Sequence, residues 1–239
     1  ALMWLVGCIL LGGRLTYCLV YDKDHELLTH FSSTFPFWGV LEIHKGGMAS
    51  HGGIIGAVVA AWRISRGFRD PRTGQIVGQA SIWHIFDALA LVTPPGLMFG
   101  RLANFVNGEL YGKVTDVPWA VIFPKAAIRS LDGTVLSNPP RHPSQLYEAG
   151  LEGVVLFLIL YGLIHYRNAL RTPGLVIAAF WIGYGAFRII VEVFFRDSDQ
   201  LVFGGALTMG TVLSMLMFAF GGFFVWYSQY RKGPALLTS

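Results

Sequence analysis

The sequence predicts an all-α polytopic membrane protein of about six transmembrane helices with a small extracytoplasmic cap. Three observations carry that expectation. Of 239 residues, 54% are hydrophobic and only 13% charged, about half the roughly 25% charge of a soluble domain. Mean hydropathy is +0.53. Apolar blocks near the ~20 residues needed to cross a bilayer recur along the whole length. The same figures exclude a disordered chain and favour one transmembrane domain over residues 1–239 rather than separate soluble domains. The net charge of +4 is modest, and aromatic and apolar runs separate the basic residues. Nucleic-acid binding is therefore a poor reading; cationic loops beside anionic lipid explain the charge better.

The candidate spans, in order, are 1–21, 47–64, 82–105, 144–166, 174–195 and 201–226. The first opens at Ala1, already inside a hydrophobic run, so an upstream segment is expected. Its Cys8 and Cys18 suggest neither metal spacing nor a disulfide framework and read as small packing residues. Polar segments at 22–46, 65–81, 107–143, 165–173 and 196–200 separate the spans. Lysine and arginine density in short loops sets orientation. Arg63, Arg66, Arg69 and Arg72, then Arg167 and Arg171, then Arg231 and Lys232 fall on one side if six spans alternate, which is the cytoplasmic side. Lys23, Lys45, Lys113, Lys125, Arg129, Arg141 and Arg196 are spread more sparsely over the longer segments opposite.

The 107–143 segment thus forms the extracytoplasmic cap inserted between spans. Within it V-P-W-A-V-I-F at 117–123 can pair as a short strand, and Asp132-Gly133 signals a turn. Pro94-Pro95 should break or kink the third span. Gly12-Gly13, Gly52-Gly53 and Gly204-Gly205 permit close helix contacts. No internal repeat is apparent, which disfavours transporter folds built from inverted repeats.

An arginine at the bilayer centre costs about 2.5–3.5 kcal/mol on insertion scales, so Arg14, Arg101 and Arg188 each demand an explanation. Arg14 reads as structural, snorkelling or paired. Tyr184, Arg188 and Glu192 are spaced i, i+4, i+8 and share one helix face. They form either a buried ion pair supported by a tyrosine or a cationic site for a lipid headgroup; spacing does not choose between them. Arg101 and Asn104 lie one turn apart, and the glycines that follow let the chain bring Glu109 back towards them. A capped helix end would explain part of this, but an arginine, two asparagines and a carboxylate at one membrane boundary favour a site.

His51, flanked by glycines where an outward loop enters a span, is either a structural hydrogen-bonder or an accessible base near its ordinary pKa of ~6.5. Capping and anchoring account for most of R-H-P-S-Q-L-Y-E at 141–148, with Gln145 and Glu148 facing a helix interior. His84 and Asp87 read as structural. On this topology His51, Arg101, Asn104, Glu109, Arg188 and Glu192 all lie towards the outer half of the membrane, where two guanidiniums suit an anionic phosphate.

G-R-L-A-N-F-V-N-G-E-L-Y-G at 100–112 resembles the signature of prolipoprotein diacylglyceryl transferases, G-R-x-[GA]-N-F-x-N-x-E-x-x-G, at every fixed position. Segments 46–53, 141–148 and 184–192 resemble the family in the same order, so the similarity covers nearly the whole chain. One departure is a further N-terminal helix of the family, a seventh here, carrying an important tyrosine upstream of the segment matching 1–21. The resemblance implies transfer of the diacylglyceryl group of phosphatidylglycerol to the lipobox cysteine of a prolipoprotein signal peptide. The products would be a thioether and glycerol phosphate. It places the enzyme in the bacterial inner membrane, its active site towards the periplasmic leaflet, with membrane lipid and prolipoprotein as partners.

The resemblance also implies roles. Arg101 and Arg188 would hold the phosphate, Asn104, Glu109 and Gly112 would shape the headgroup site, and Tyr184 and Glu192 would support Arg188. His51 is the candidate base, with Glu109 competing. No metal or nucleotide cofactor is expected, because phosphate is already the leaving group and no H-E-x-x-H or P-loop motif occurs. Two rivals stand beside this reading. One is a transporter for an anionic solute. The other is an intramembrane hydrolase, disfavoured because Ser50 and His51 are adjacent and no G-x-S-x-G elbow occurs.

Overall fold

The computed structural model describes residues 1–22, 26–31, 33, 36–42, 46–130, 132–196, 201–202 and 207–230. They belong to two compact units, Ala1–Ile85 and Phe86–Ser239. Among the described residues the long elements are all helices, and strands occur only in three short antiparallel hairpins. Five helices are long and apolar enough to cross a membrane: Leu2–Tyr21, Ile82–Asn107, Ser144–Arg167, Leu175–Phe194 and Met209–Tyr230. The protein is an all-α polytopic membrane protein.

In the first unit, α1 (Leu2–Thr16) runs on through a π-helical stretch, Tyr17–Tyr21. A short α2 (Glu26–Thr29), α3 (Ser50–Ser65) and the hairpin of β1 (Phe68–Arg69) with β2 (Ile76–Val77) follow. The span expected at 47–64 is thus corrected to the 16 residues of α3, about 24 Å at 1.5 Å per residue, which falls short of the ~30 Å hydrocarbon thickness. The cause is local. Gly46 and Gly47 take φ of 84° and 79°, and Gly67 takes 73°, conformations that delay the helix to Ser50 and stop it after Ser65.

Small residues let α1 and α3 touch. The carbonyl of Gly12 occupies the place a Cβ on Gly52 would need, and the carbonyl of Cys8 does the same at Gly56, the close backbone approach of a small-xxx-small pair. Arg14, 2% exposed, neither snorkels nor stays idle. Its guanidinium donates to the carbonyls of Gly39, Val40, Glu42, Gly46 and Gly47 at 2.5–3.3 Å. Its role is to hold the following loop. Of the sequence expectations, Lys23, Lys45, Gly204, Gly205, Arg231 and Lys232 lie outside the described residues.

The second unit contains α4 (Ile82–Asn107) from Phe86 onwards. Of the break or kink expected at Pro94-Pro95, the break does not occur: the helix continues through both prolines. Pro94 is buried and the Thr93 hydroxyl donates to the Leu89 carbonyl at 2.7 Å. The next span joins α5 (Ser144–Glu148), a seven-residue π-helical stretch (Ala149–Val155) and α6 (Leu156–Arg167). It is followed by α7 (Leu175–Phe194) and α8 (Met209–Tyr230).

Ala90, Leu156, Leu160, Ala169, Val176, Ile177 and Phe180 form the core of this unit. Residues 201–226 do not form one helix as expected. β5 (Leu201–Val202) pairs with β6 (Leu207–Thr208), and α8 starts only at Met209. There the Thr208 hydroxyl accepts the Thr211 N–H at 3.1 Å and caps the helix.

In the 107–143 segment, Pro118 turns the chain, with the Ala120 N–H on the Val117 carbonyl at 2.9 Å. The expected strand at 117–123 is therefore reduced to an isolated Val121–Arg141 bridge, since proline cannot donate to a ladder. The ladder forms instead around the expected turn, between β3 (Ile128–Arg129) and β4 (Val135–Ser137). Bonds from the Thr134 backbone N–H and hydroxyl hold the Asp132 carboxyl below the usual carboxylate range.

Asp87 is completely buried and accepts the N–H groups of Gly174 and Ile177 at 2.8 and 2.9 Å. A carboxylate from α4 thus caps the N-terminus of α7, satisfying amides the helix cannot. Asp87→Ala strands both, and each unsatisfied buried amide costs about 1–3 kcal/mol. A clearly lowered thermal midpoint in detergent is expected, and an unchanged midpoint would contradict this role.

Candidate active site

Charged side chains from three helices of the second unit meet in one cluster. α4 supplies Arg101, the α5 and π-helical segment supplies Glu148 and Glu152, and α7 supplies Arg188 and Glu192, with Arg196 two residues past its end. Glu148, 0% exposed, is the hub. Its Oε1 accepts from Nη1 of Arg188 at 2.6 Å and Nη1 of Arg196 at 3.1 Å. Nε of Arg101 stands 3.0 Å from its Oε2, off the hydrogen-bonding direction. Glu152 accepts from Nη2 of Arg101 at 3.2 Å and lies 3.9 Å from Arg188. Glu192 pairs with Nη2 of Arg188 at 3.0 Å and lies 3.9 Å from Nε of Arg196.

Three guanidiniums and three carboxylates balance in charge, but they are not equivalent in position. The carboxylate side chains are 0–2% exposed and the arginine side chains 15–16%. The anions therefore sit behind and the cations in front. Among the described residues, Nη1 of Arg101 and Nε of Arg188 bond to no protein group. A cationic edge with spare donors, backed by buried carboxylates, is built to receive an anion. Burying six charges is a poor way to gain stability, so fold maintenance alone does not account for it. Glu152 lies in the π-helical stretch, a local irregularity that recurs at functional sites.

The signature loop is gripped from the 141–148 side. After α4, Gly108 and Leu110 take φ of 64° and 56°, and the Glu109 N–H returns to the Asn104 carbonyl at 2.9 Å. Ser144 donates to the Leu110 carbonyl at 3.1 Å, and Gln145 Nε2 to the Glu109 carbonyl at 2.6 Å. Gly112 donates to the His142 carbonyl at 2.9 Å and bridges to Arg196. A Cβ at Gly112 would overlap the Phe195 carbonyl oxygen and crowd His142. The fixed glycine of the signature is thus where two backbones touch, and that contact places Arg196.

Of the residues singled out in the sequence, the structure brings Arg101, Arg188 and Glu192 together. Tyr184 stacks on Phe180 at 5.8 Å and lies within electrostatic reach of Glu152, Arg101 and Arg188. Asn104 and Gly112 frame the loop through their backbones. The Glu109 carboxylate does not approach Arg101 as expected: it pairs with Nζ of Lys125 at 2.8 Å, both about half exposed. His51 belongs to the first unit, exposed on the first turn of α3.

Glu148 was legible only as facing a helix interior, and Glu152 and Arg196 were missed. The signal was present in the 148/152 pair, two carboxylates one turn apart in an apolar span. Each needs a cation, and Arg101 and Arg188 each needed an anion.

The sequence profile of the family described as prolipoprotein diacylglyceryl transferase matches residues 1–227. Relatives named phosphatidylglycerol–prolipoprotein diacylglyceryl transferase align over most of the chain. That of Agrobacterium fabrum is 44% identical over 223 residues, covering 92% of this chain and 70% of its own. That of Sinorhizobium medicae is 43% identical over 223 residues, with the same coverage. That of Ruegeria pomeroyi is 39% identical over 236 residues, covering 94% of this chain and 74% of its own. The family match runs through α4, the signature loop, Glu148, Glu152, Arg188, Glu192 and Arg196 alike; the chain belongs to the prolipoprotein diacylglyceryl transferase family.

Proposed function

We propose that the arginine–glutamate cluster is the active site of this family's reaction, with Arg101 and Arg188 gripping the phosphate of phosphatidylglycerol. The chain is a transferase. It moves the diacylglyceryl group of phosphatidylglycerol to the lipobox cysteine of a prolipoprotein, forming a thioether and releasing glycerol phosphate, the first step of bacterial lipoprotein maturation. It is a multi-pass protein of the bacterial inner membrane. The rival reading, a transporter for an anionic solute, finds no support in the family match.

One observation carries the site assignment. Guanidiniums from two separate helices rest on the same buried carboxylate, Glu148, and among the described residues each has a donor that bonds to no protein group. In the reaction the cysteine thiolate attacks the glyceryl carbon and the bond from that carbon to the phosphate oxygen breaks. The bonding pair leaves on that oxygen. Fixed donors aimed at an oxygen that gains charge stabilise the transition state more than the ground state. Glu148, Glu152 and Glu192 hold those donors in place before substrate arrives. Tyr184 supports Arg188 from the preceding turn, and Asn104, Glu109 and Gly112 shape the loop beside the headgroup.

The site faces the periplasmic leaflet under the 107–143 cap, and 1–239 acts as a single transmembrane domain in which α3 counts as a sixth, short span. The thiol proton goes to His51. Purified protein in vesicles of phosphatidylglycerol, given a lipobox peptide, gains one diacylglyceryl group on the peptide cysteine. Solute flux without that product would favour the transporter instead. A neutral imidazole is needed to accept the proton. His51→Gln lowers kcat by about 10²-fold or more. Near-normal turnover with an unchanged pH profile would remove His51 from the role and direct the test to Glu109→Gln.

A further inference from the structure

We propose that Arg196 is a third guanidinium of the phosphate site, engaged chiefly when the phosphate leaves. The inference rests on the reading of Arg101 and Arg188 as the phosphate clamp. Arg196 shares Oε1 of Glu148 with Arg188, at 3.1 and 2.6 Å, so their guanidiniums meet at one oxygen atom. It is exposed to the same slight degree as Arg101 and Arg188, 16% against 15%. Its own position is fixed by the signature motif. Gly112 bridges to it, and the Lys113 N–H donates to the Phe195 carbonyl at 2.9 Å. The last glycine of the signature thus serves to set a cation at the site.

The chemistry supplies the reason for a third cation. Phosphatidylglycerol enters as a phosphodiester with one negative charge. When the carbon–oxygen bond breaks, the departing oxygen keeps the electron pair and the sulfur gains the carbon. The thiol proton has already gone to the base. The leaving glycerol phosphate is then a dianion, one charge more than the substrate. Two guanidiniums hold the phosphodiester in the ground state, and the third donates to the oxygen charge that develops as the bond breaks. Among the described residues, the charged groups against Arg196 are Glu148 and Glu192, with Arg188 and Arg101 on the same Glu148. Nearby are His142, whose ring packs on Phe195 at 5.3 Å, and Lys113, whose Nζ donates to the Val193 carbonyl at 2.8 Å.

The test uses the full chain in phosphatidylglycerol vesicles. Arg196→Gln is expected to lower kcat by about 10²-fold with KM for phosphatidylglycerol changed less than about threefold. Product inhibition gives a readout that a merely structural role would not move. Glycerol phosphate takes its second charge near pH ~6, so its inhibition of the wild-type enzyme should tighten between pH 5 and 8, and this tightening should be lost in Arg196→Gln. Glycerol methylphosphonate, a monoanion throughout, should show no such tightening in either protein, which ties the effect to the charge of the ligand. Equal pH steepness in wild type and Arg196→Gln, or a raised KM with unchanged kcat, overturns the assignment. Should Arg196→Gln fail to fold, Arg196→Lys decides. It keeps the charge but loses the fork, so a kcat about tenfold down supports the role and a wild-type kcat refutes it. The clamp itself fails separately, through Arg101 and Arg188.

Discussion

Arg101→Ala and Arg188→Ala are each expected to lower diacylglyceryl transfer by about 10³-fold or more, measured as lipidated peptide formed in phosphatidylglycerol vesicles. Loss of a single preorganised donor to a developing oxyanion costs about 10²–10³ in kcat, and each substitution removes a whole guanidinium. A second effect accompanies the first. Glu148 is fully buried between these cations, and removing one partner of a buried pair destabilises by about 3–5 kcal/mol. Lysine variants separate the two effects. Arg188→Lys keeps a cation near Glu148 and Glu192 but cannot present two parallel donors. It should fold with a near-normal thermal midpoint and still lose most activity. Full turnover in either alanine variant removes the clamp.

Glu148→Ala should be the most damaging substitution of a carboxylate. Three arginines lie against Glu148, at 2.6, 3.0 and 3.1 Å, and without it they face one another with less compensation. A loss of about 3–5 kcal/mol in stability is expected, with transfer falling together with it. Glu148→Gln keeps the shape and one acceptor oxygen while deleting the charge, and should retain more of the fold than of the activity. Glu192→Gln should be milder, because among the described arginines only Arg188 is close to Glu192, at 3.0 Å, and Arg196 stands at 3.9 Å. An equal thermal and kinetic cost at both positions would contradict the hub assignment of Glu148.

Much of this was legible in the sequence because membrane solvent makes charge conspicuous. Arg101 and Arg188 stand out in the sequence against apolar surroundings, and the structure brings both to Glu148. Glu192, one turn from Arg188, followed from helical spacing alone. Glu152 and Arg196 did not, because their importance depends on contacts between helices that spacing along one helix does not encode. The π-helical stretch that carries Glu152 has no strong local signature.

The limits of the fold reading have similar causes. Length and composition identified the long spans, but the backbone freedom of Gly46, Gly47 and Gly67 shortened α3, and hydropathy is blind to φ. Thr208 capping Thr211 moved the start of α8, and the hairpin before it consumed residues that composition had assigned to the helix. At Pro94-Pro95, where a break or a kink is expected, the helix runs on without a break. Glu109 shows how a motif residue can matter through its backbone, since its carbonyl is held by Gln145 while its carboxylate faces Lys125.

The most direct measurement is an experimental structure of the protein with phosphatidylglycerol bound. The expected result is a lipid phosphate whose oxygens lie about 3 Å from both the Arg101 and Arg188 guanidiniums, with Glu148 behind them. A headgroup bound elsewhere, with both arginines still engaged only by carboxylates, would leave the cluster as structural wiring and contradict the account.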